Sequence, residues 1–250
     1  MTSDTYKDLN LILSEKQKII DKLSDEKNSL LKVISHDIKA PFNQLYALLQ
    51  LFELEVEDLG GRPKEYIDKM YHAIISGMEM IQNLTDLRSI DQKNLTVQKD
   101  KLDIEKVLKK ALSHYQIQMR LKNIQVDLTN EDQSITIYSD EMLLIKILDK
   151  ILSNAVKYSE NNTTIHIHYV KIQDIVNITI LDEGPGLSED EISLIYEPFR
   201  TLCVKPTFGG GTTGLGMYLA SKFSEMLGIK IVVERKKPKG LMVSLSLPVR

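Results

Sequence analysis

The feature that most constrains the fold of this 250-residue chain is a pair of long apolar stripes in its first part. Both stripes step mainly by three and four residues, which is the spacing of one face of a long helix. The first consists of Leu31, Ile34, Ile38, Phe42, Leu45, Leu49, Phe52 and Val56. The second consists of Ile67, Met70, Ile74, Met78, Ile81 and Thr85. Between them, the segment LGGRP at 59–63 has two glycines and a proline, which break a helix. The sequence therefore predicts an α-helical hairpin.

A single hairpin leaves part of its apolar stripe uncovered, whereas two hairpins bury it as a dimeric four-helix bundle. We therefore assign residues 31–92 to a dimerisation hairpin and expect a homodimer. Residues 5–35 are rich in charge, lack Gly and Pro, and have apolar residues at coiled-coil spacing. We expect residues 1–30 to form an N-terminal signalling helix or coiled coil that continues into the hairpin.

Beyond the polar segment 91–100 the pattern changes to short β-type runs that alternate with helices. The predicted helices cover 103–121, 140–158, 188–196 and 213–227. The predicted strands cover 124–128, 135–138, 163–172, 175–181, 229–235 and 240–247. This order predicts an α+β sandwich over residues 93–250, in which helices cover one face of a mixed β-sheet.

Composition narrows the class of protein. The formal net charge of −3 does not indicate the basic surface that nucleic-acid-binding proteins have, so we expect no nucleic-acid partner. Cys203 is the only cysteine, which excludes an internal disulfide and fits a reducing compartment. No apolar run approaches the ~20 residues of a membrane span. We expect a cytoplasmic chain, associated with a membrane only through a sensor region upstream of it.

The segment VISHDIKAPF at 33–42 places a histidine inside the first hairpin helix. His36 lies roughly 160° from the centre of the apolar stripe, so it faces solvent. A lone exposed histidine is usually an ordinary surface residue. Here, however, Pro41 removes the helical hydrogen bond to the carbonyl of Asp37 at a cost of ~3 kcal/mol, and such local inconsistencies are typical of functional sites. Asp37 could orient the imidazole or accept its proton.

This segment resembles the phospho-acceptor motif of the sensor histidine kinases of two-component systems. The domain after it resembles their ATP-binding domain, the Bergerat-type fold shared with gyrase, Hsp90 and MutL. The resemblance covers about residues 25–250, with the motifs in the family's order. It implies an ATP-dependent kinase that phosphorylates its own His36, with Asp37 as a second catalytic residue. It also implies transfer of the phosphoryl group to an aspartate of a response-regulator receiver domain, with ATP and Mg²⁺ as cofactors.

The second motif of the resemblance is KILSNAVKYS at 150–159. Lys150, Asn154 and Lys157 fall on one helical face by their spacing. The resemblance implies that Asn154 is the Mg²⁺ ligand and that Lys157 and Tyr158 lie near the phosphates. The family usually has a further asparagine where this chain has Lys150. A lysine cannot ligate Mg²⁺, but it can bind a phosphate as a point charge.

The remaining motifs are rich in glycine. In LDEGPGL at 181–187, the resemblance implies that Asp182 accepts a hydrogen bond from the adenine amino group and that Gly184 and Gly186 shape the pocket. A simple turn at the end of a strand is the alternative for so short a pattern. In FGGGTTGLGMYLASK at 208–222, it implies a second group of nucleotide-binding residues at the N-terminus of a helix. That group is Thr213, Gly214, Leu215 and Gly216.

Between these motifs, residues 200–212 are expected to form a mobile lid over ATP. YEPFR at 196–200 resembles the family's phenylalanine motif, in which Phe199 would pack under that lid. Thr212 stands where the family often has a glycine.

Two other functions remain open from the sequence. One is a degenerate kinase that dimerises and acts as a scaffold, with Lys150 and Thr212 as the signs of lost catalysis. The other is a different Bergerat-type ATPase, which is disfavoured because such enzymes carry a glutamate base near the Mg²⁺-binding asparagine, and position 150 is lysine.

Position 40 concerns a second activity. Family members that dephosphorylate their partner are thought to position water with a Thr or Asn four residues after the histidine. Here that residue is Ala40, which has no hydrogen-bonding group. The sequence therefore predicts a kinase-dominant enzyme with weak phosphatase activity.

Overall fold

A computed structural model of the chain describes residues 13, 16–17, 39, 42–52, 62–91, 95–130, 134–207 and 212–249. The predicted phospho-acceptor His36, its neighbours Asp37 and Ala40, and most of the predicted N-terminal coiled coil lie outside these described residues. Within the described parts of the chain, no helix combines the length and the apolarity that are needed to cross a bilayer.

The hairpin consists of a helix over residues 42–52 (α1) and a second helix, Arg62–Asp91 (α2). Their shared core contains the buried side chains of Leu49, Ile67, Tyr71 and Ile74. The rings of Tyr46 and Tyr71 meet edge to face with centroids 5.7 Å apart. The ring of Phe42 covers Gly77 so closely that a Cβ there would overlap it. The predicted hairpin is confirmed over the described residues.

The hairpin also has an uncovered apolar face. The exposed fractions are 52% for Leu45, 54% for Leu48, 47% for Phe52 and 53% for Met70. Exposed apolar side chains at helical spacing are typical of a surface that packs against another helix. This face supports the predicted four-helix bundle of two chains.

The second part of the chain is an α+β sandwich, as predicted. Its elements are β1 (Asp100–Asp103), α3 (Ile104–Ser113), α4 (Gln116–Lys122), β2 (Gln125–Asn130), β3 (Thr136–Ser139), α5 (Glu141–Tyr158), β4 (Thr164–Ile172), β5 (Ile175–Leu181), α6 (Glu189–Leu194), α7 (Gly216–Leu227), β6 (Lys230–Arg235) and β7 (Leu241–Pro248). Five strands form one sheet in the order β2-β4-β5-β7-β6, and β1 pairs with β3 in a separate ribbon. Strand β2 is parallel to β4, and the other pairs are antiparallel, so the sheet is mixed.

One face of this sheet is apolar and carries the helices. Alternate residues of β4 and β5 are fully buried, among them Ile165, Ile167, Val176 and Ile178. Helices α5 and α7 pack against each other, and α3 packs against α5. Since side chains alternate across a strand, the other face presents polar residues to solvent. The order of helices and strands in the sequence predicts this one-sided arrangement.

Three differences from the prediction have an evident structural cause. The predicted helix 103–121 is two helices, because His114 and Tyr115 turn towards α5 and bind the side chain and the carbonyl of Asp149. The polar strand β1 was missed, since Leu102 is its only buried residue. Helix α7 begins at Gly216 and not at 213, because the amide of Leu215 bonds back to the Thr213 hydroxyl.

Candidate active site

A pocket brings the three ATP-binding motifs of the sequence together. It lies between the C-terminal half of α5, the turn after β5, the N-terminus of α7 and the middle of α2. Eight of the predicted nucleotide-binding residues line it: Asn154, Lys157, Tyr158, Asp182, Gly186, Thr213, Gly214 and Gly216. The remaining three, Gly184, Leu215 and Lys150, are not among the residues that line it.

The buried carboxylate of Asp182 forms one end of the pocket, at the carboxyl end of β5. Its Oδ1 accepts hydrogen bonds from the amides of Gly184, at 2.8 Å, and Leu241, at 3.1 Å. Burial raises the pKa of this carboxyl, and the two amide bonds offset only part of the rise. Within the described residues both bonds use Oδ1, so Oδ2 remains to accept a hydrogen bond from a ligand.

Gly184 shapes this end of the pocket without lining it. A Cβ at this position would lie 2.9 Å from the carbonyl oxygen of Tyr158. Only glycine therefore lets the turn after β5 pack against the C-terminus of α5. This close approach holds Asp182 and Tyr158 beside the same pocket.

The opposite end of the pocket is formed by α5 and α7. A Cβ at Gly216 would lie 3.9 Å from both amide atoms of Asn154, so the Asn154 side chain faces the first turn of α7. No side chain among the described residues caps that turn. The amides in the first turn of a helix and the positive end of its dipole favour an anion. The predicted positions of Asn154 and of the glycine motif are thus next to each other.

The lid segment is attached to α5 at the two places where it is described. The Thr207 hydroxyl donates to the carbonyls of Lys157, at 3.1 Å, and Ser159, at 2.9 Å. Tyr158 hydrogen-bonds Thr212, and burial raises its pKa. Phe199 does not pack under the lid as predicted, since it is 63% exposed with a φ of +62°. Thr207 and Thr212, and not Phe199, make these contacts between the lid segment and α5.

Two family models match the chain. The His Kinase A (phospho-acceptor) domain matches residues 26–93, and the histidine kinase-, DNA gyrase B- and HSP90-like ATPase matches residues 139–250. The chain belongs to the sensor histidine kinases.

Curated relatives agree with this assignment. The chain is 25% identical to the autoinducer 2 sensor kinase/phosphatase LuxQ of Vibrio parahaemolyticus, over 96% of this chain and 29% of the relative. It is 28% identical to the sensor protein KdpD of Clostridium acetobutylicum, over 94% of this chain and 26% of the relative. This histidine kinase chain therefore spans between a quarter and a third of the length of these two relatives.

Solved structures of histidine kinases share its fold. Full-length ShkA in complex with AMPPNP has a TM-score of 0.60 at 23% identity, over 88% of this chain and 45% of that one. ThkA in complex with the response regulator protein TrrA has a TM-score of 0.58 at 16% identity, over 94% of this chain and 66% of that one. At these identities the likeness supports the fold alone.

In this histidine kinase, Lys150 faces the hairpin. It is 6% exposed, and its Nζ lies 2.7 Å from Asn83 Oδ1 and 2.8 Å from Asp86 Oδ2. Asp86 also pairs with Lys146 at 2.5 Å. In this conformation the position that departs from the family's asparagine therefore contacts α2 and not the pocket.

Sequence reasoning missed the contribution of α2 to the pocket. Glu79 and Asn83 line it beside Asn154 and Lys157, and Glu79 pairs with Lys157 at 2.9 Å. The missed signal is a polar stripe at 79, 83 and 86 on an otherwise amphipathic helix, with the spacing of one helical face.

Proposed function

We propose that this chain is an ATP-dependent protein-histidine kinase of a two-component system. It phosphorylates its own His36 and passes the phosphoryl group to an aspartate of a response-regulator receiver domain. The observation that supports this best is the convergence of a buried carboxylate, an asparagine amide and an uncapped helix N-terminus on one pocket. These three groups match the adenine, the metal and the phosphates of Mg²⁺·ATP.

Each group has a distinct role in binding. Oδ2 of Asp182 accepts a hydrogen bond from the adenine amino group, and Gly186 borders the base. The first amides of α7 and the Lys157 ammonium bind the phosphates. Asn154 would hold Mg²⁺ through its amide oxygen, which is a hard ligand of the kind that this ion prefers. The bound ion supplies neutralisation of the charge on the phosphates.

The acceptor is the imidazole of His36. In its neutral form an imidazole has a ring nitrogen whose lone pair can attack the γ-phosphate. Asp37 orients the ring. Because phosphoryl transfer passes through a loose transition state, the protein contributes mainly position and charge.

The proposed assembly is a homodimer through the uncovered face of α1 and α2. Two hairpins would bury Leu45, Leu48, Phe52 and Met70 in a four-helix bundle. Since ATP and receiver domains are found in the cytoplasm, the proposed activity places the chain there. Ala40 makes the proposed enzyme kinase-dominant, with weak phosphatase activity.

Autophosphorylation is tested with γ-labelled ATP and Mg²⁺. The wild-type chain should acquire label that is acid-labile and base-stable, as a phosphohistidine is. His36→Gln should acquire none while still binding ATP, and His166→Gln, which removes an exposed histidine of the sheet, should be labelled like the wild type.

The other outcomes separate the alternatives. Label on His36→Gln would remove this histidine from the mechanism. Release of phosphate without labelled protein would favour a Bergerat-type ATPase. A chain that dimerises but neither labels nor hydrolyses ATP would be a scaffold.

A further inference from the structure

The polar stripe of α2 contacts the polar face of α5 over about two turns of α2 and about three turns of α5. Glu79, Asn83 and Asp86 step by four and three residues, so they share one face of α2. Lys146, Lys150, Ser153 and Lys157 step by four, three and four on α5. Every member of the first set bonds a member of the second. This matched spacing makes one continuous polar contact between the hairpin and the nucleotide-binding domain.

The Asp86 end of this contact is withdrawn from water. Asp86 is 1% exposed and lies between the ammonium groups of Lys146 and Lys150. Burial alone raises the pKa of the Asp86 carboxyl, but the two lysines more than offset this, and the pKa lies below its usual value. A buried ion pair that loses one partner leaves an uncompensated charge. The Asp86 end therefore contributes strongly to the docked position of α2.

The Glu79 end lies in the pocket itself. Its Oε2 is 2.9 Å from Lys157 Nζ, and its Oε1 accepts a hydrogen bond from the Ser153 hydroxyl at 2.8 Å. Both Glu79 and the phosphates of a nucleotide are anionic, and both would bind Lys157. Asn83, in the middle, connects Lys150 to the Thr213 hydroxyl of the glycine motif at 2.7 and 3.1 Å. Nucleotide binding and the docking of α2 therefore use the same groups.

We propose that Glu79, Asn83 and Asp86 form an electrostatic clamp that holds the nucleotide-binding domain on α2, and that the phosphates of ATP open it by displacing Glu79 from Lys157. This proposal rests on the proposed binding of ATP. Because coupling between two binding events is reciprocal, a weaker clamp must give tighter binding of phosphate-bearing ligands. Lys150 is then a positioning residue that holds α2, and not a phosphate ligand.

Asp86→Asn tests the clamp because Asp86 does not line the pocket and can act on ATP only through α2. We expect the Kd of Mg²⁺·ATP, measured by calorimetry, to fall about three- to tenfold, since a larger fraction of the chain is open to the ligand. Adenosine has no phosphates and should bind both proteins equally. Asp68→Asn removes the same charge from α2 about five turns away and should leave both affinities unchanged.

Lys150→Gln gives a second test, in which the direction of the change in ATP affinity distinguishes the two roles of Lys150. A lysine that binds phosphate predicts weaker binding of ATP by this variant, whereas the clamp predicts tighter binding. It also serves if Asp86→Asn does not fold.

A footprint with an amine-reactive reagent shows the opening directly in the wild-type chain. Labelling of Lys146 and Lys150 should rise when the non-hydrolysable analogue AMPPNP and Mg²⁺ are added. Labelling of Lys109, whose side chain is 64% exposed on α3, should stay constant.

The results separate the two proposals. A wild-type chain that binds no ATP contradicts the proposed function. A wild-type chain that binds ATP, with variants that bind it no more tightly, overturns the clamp alone. Equal tightening for ATP and adenosine also overturns it, because displacement by phosphates would then play no part.

Discussion

At the scale of single residues, Asp182 shows how one carboxylate serves both the fold and the ligand. Its Oδ1 joins the turn after β5 to the start of β7 through the amides of Gly184 and Leu241. The second oxygen, Oδ2, can distinguish adenine from bases that lack an amino group at the same position. A buried acceptor placed for one donor rejects ligands that lack the donor, because the acceptor is then left unpaired.

We predict that Asp182→Asn weakens ATP binding at least about tenfold, which corresponds to about 1.4 kcal/mol. The variant keeps an oxygen for the two amides, but it removes the charge and can turn a donor towards the adenine amino group. Calorimetry with Mg²⁺·ATP measures the change. Asp174→Asn, an exposed aspartate in the turn between β4 and β5, is the matched control and should bind like the wild type. Unchanged affinity in Asp182→Asn would refute the adenine assignment.

At the scale of elements, the site depends mainly on α5, which is fastened at both ends. Asp140 caps its N-terminus by accepting from the amide of Leu143 at 3.0 Å. At its C-terminus the ammonium of Lys122 donates to the carbonyls of Val156, Lys157 and Ser159, at 2.5, 3.1 and 2.7 Å. These bonds satisfy carbonyls that a helix end leaves without partners, and they fix the turn that carries Lys157.

Lys122 gives a prediction about pH. The side chain is 2% exposed, and burial lowers its pKa from an ordinary value of 10.5 to about 8. Between these two values the unfolded chain binds a proton that the folded chain does not. The free energy of unfolding should therefore rise with pH across this window, by at most about 3 kcal/mol.

Urea unfolding at about pH 8 and about pH 10 measures this rise, with Lys122→Met as the reference that lacks the group. The difference between the wild type and Lys122→Met should shift in favour of the wild type as the pH increases. Lys99→Met, at an exposed lysine, should follow the wild type. A difference that stays constant with pH would contradict the lowered pKa.

At the scale of the whole molecule, two surfaces of the hairpin have different tasks. The polar stripe of α2 contacts the nucleotide-binding domain within one chain. The apolar face that includes Leu45, Leu48 and Phe52 is left for a second chain. Under the two proposals, opening of the clamp leaves the apolar face of the bundle in place.

We predict that Leu48→Glu shifts the chain from dimer to monomer, because it places a charge in the centre of the face that the bundle buries. Sedimentation velocity measures the shift. Gln50→Glu lies about 160° around α1 from Leu48 and should stay dimeric. A Leu48→Glu chain that sediments as a dimer would place the interface elsewhere.

The balance between the proposed kinase and phosphatase activities depends on the complex with the response regulator. Ala40→Thr should increase dephosphorylation of the cognate regulator, because the added hydroxyl can orient water, while autophosphorylation stays within about threefold. The assay follows loss of label from the phosphorylated regulator with Mg²⁺ and ADP. Ala40→Ser is a second variant with a hydroxyl and should gain less or equally. A wild-type chain that strips its regulator rapidly would contradict the prediction, as would an Ala40→Thr variant without any gain.

The sequence by itself determined the hairpin, the mixed sheet, the grouping of the ATP motifs and the order of the elements, apart from β1 and the break between α3 and α4. These features depend on signals that are local in the chain. The period of apolar residues distinguishes α2 from β4, and glycines such as Gly214, with a φ of +64°, mark turns that few other residues adopt. The family resemblance that these local motifs carry names eight of the residues that line the pocket.

Tertiary structure decided what depends on the partner of a side chain. The break between α3 and α4 depends on Asp149, 34 and 35 residues further along the chain. The motif around Lys150 predicts a phosphate ligand. In the structure Lys150 contacts Asn83, which lies 67 residues away in the sequence. A long charged side chain pairs with the opposite charge that tertiary packing places near it. The spacing of residues along the sequence does not show which charge that is. Glu79 and Asn83 therefore became part of the site only when α2 packed beside α5.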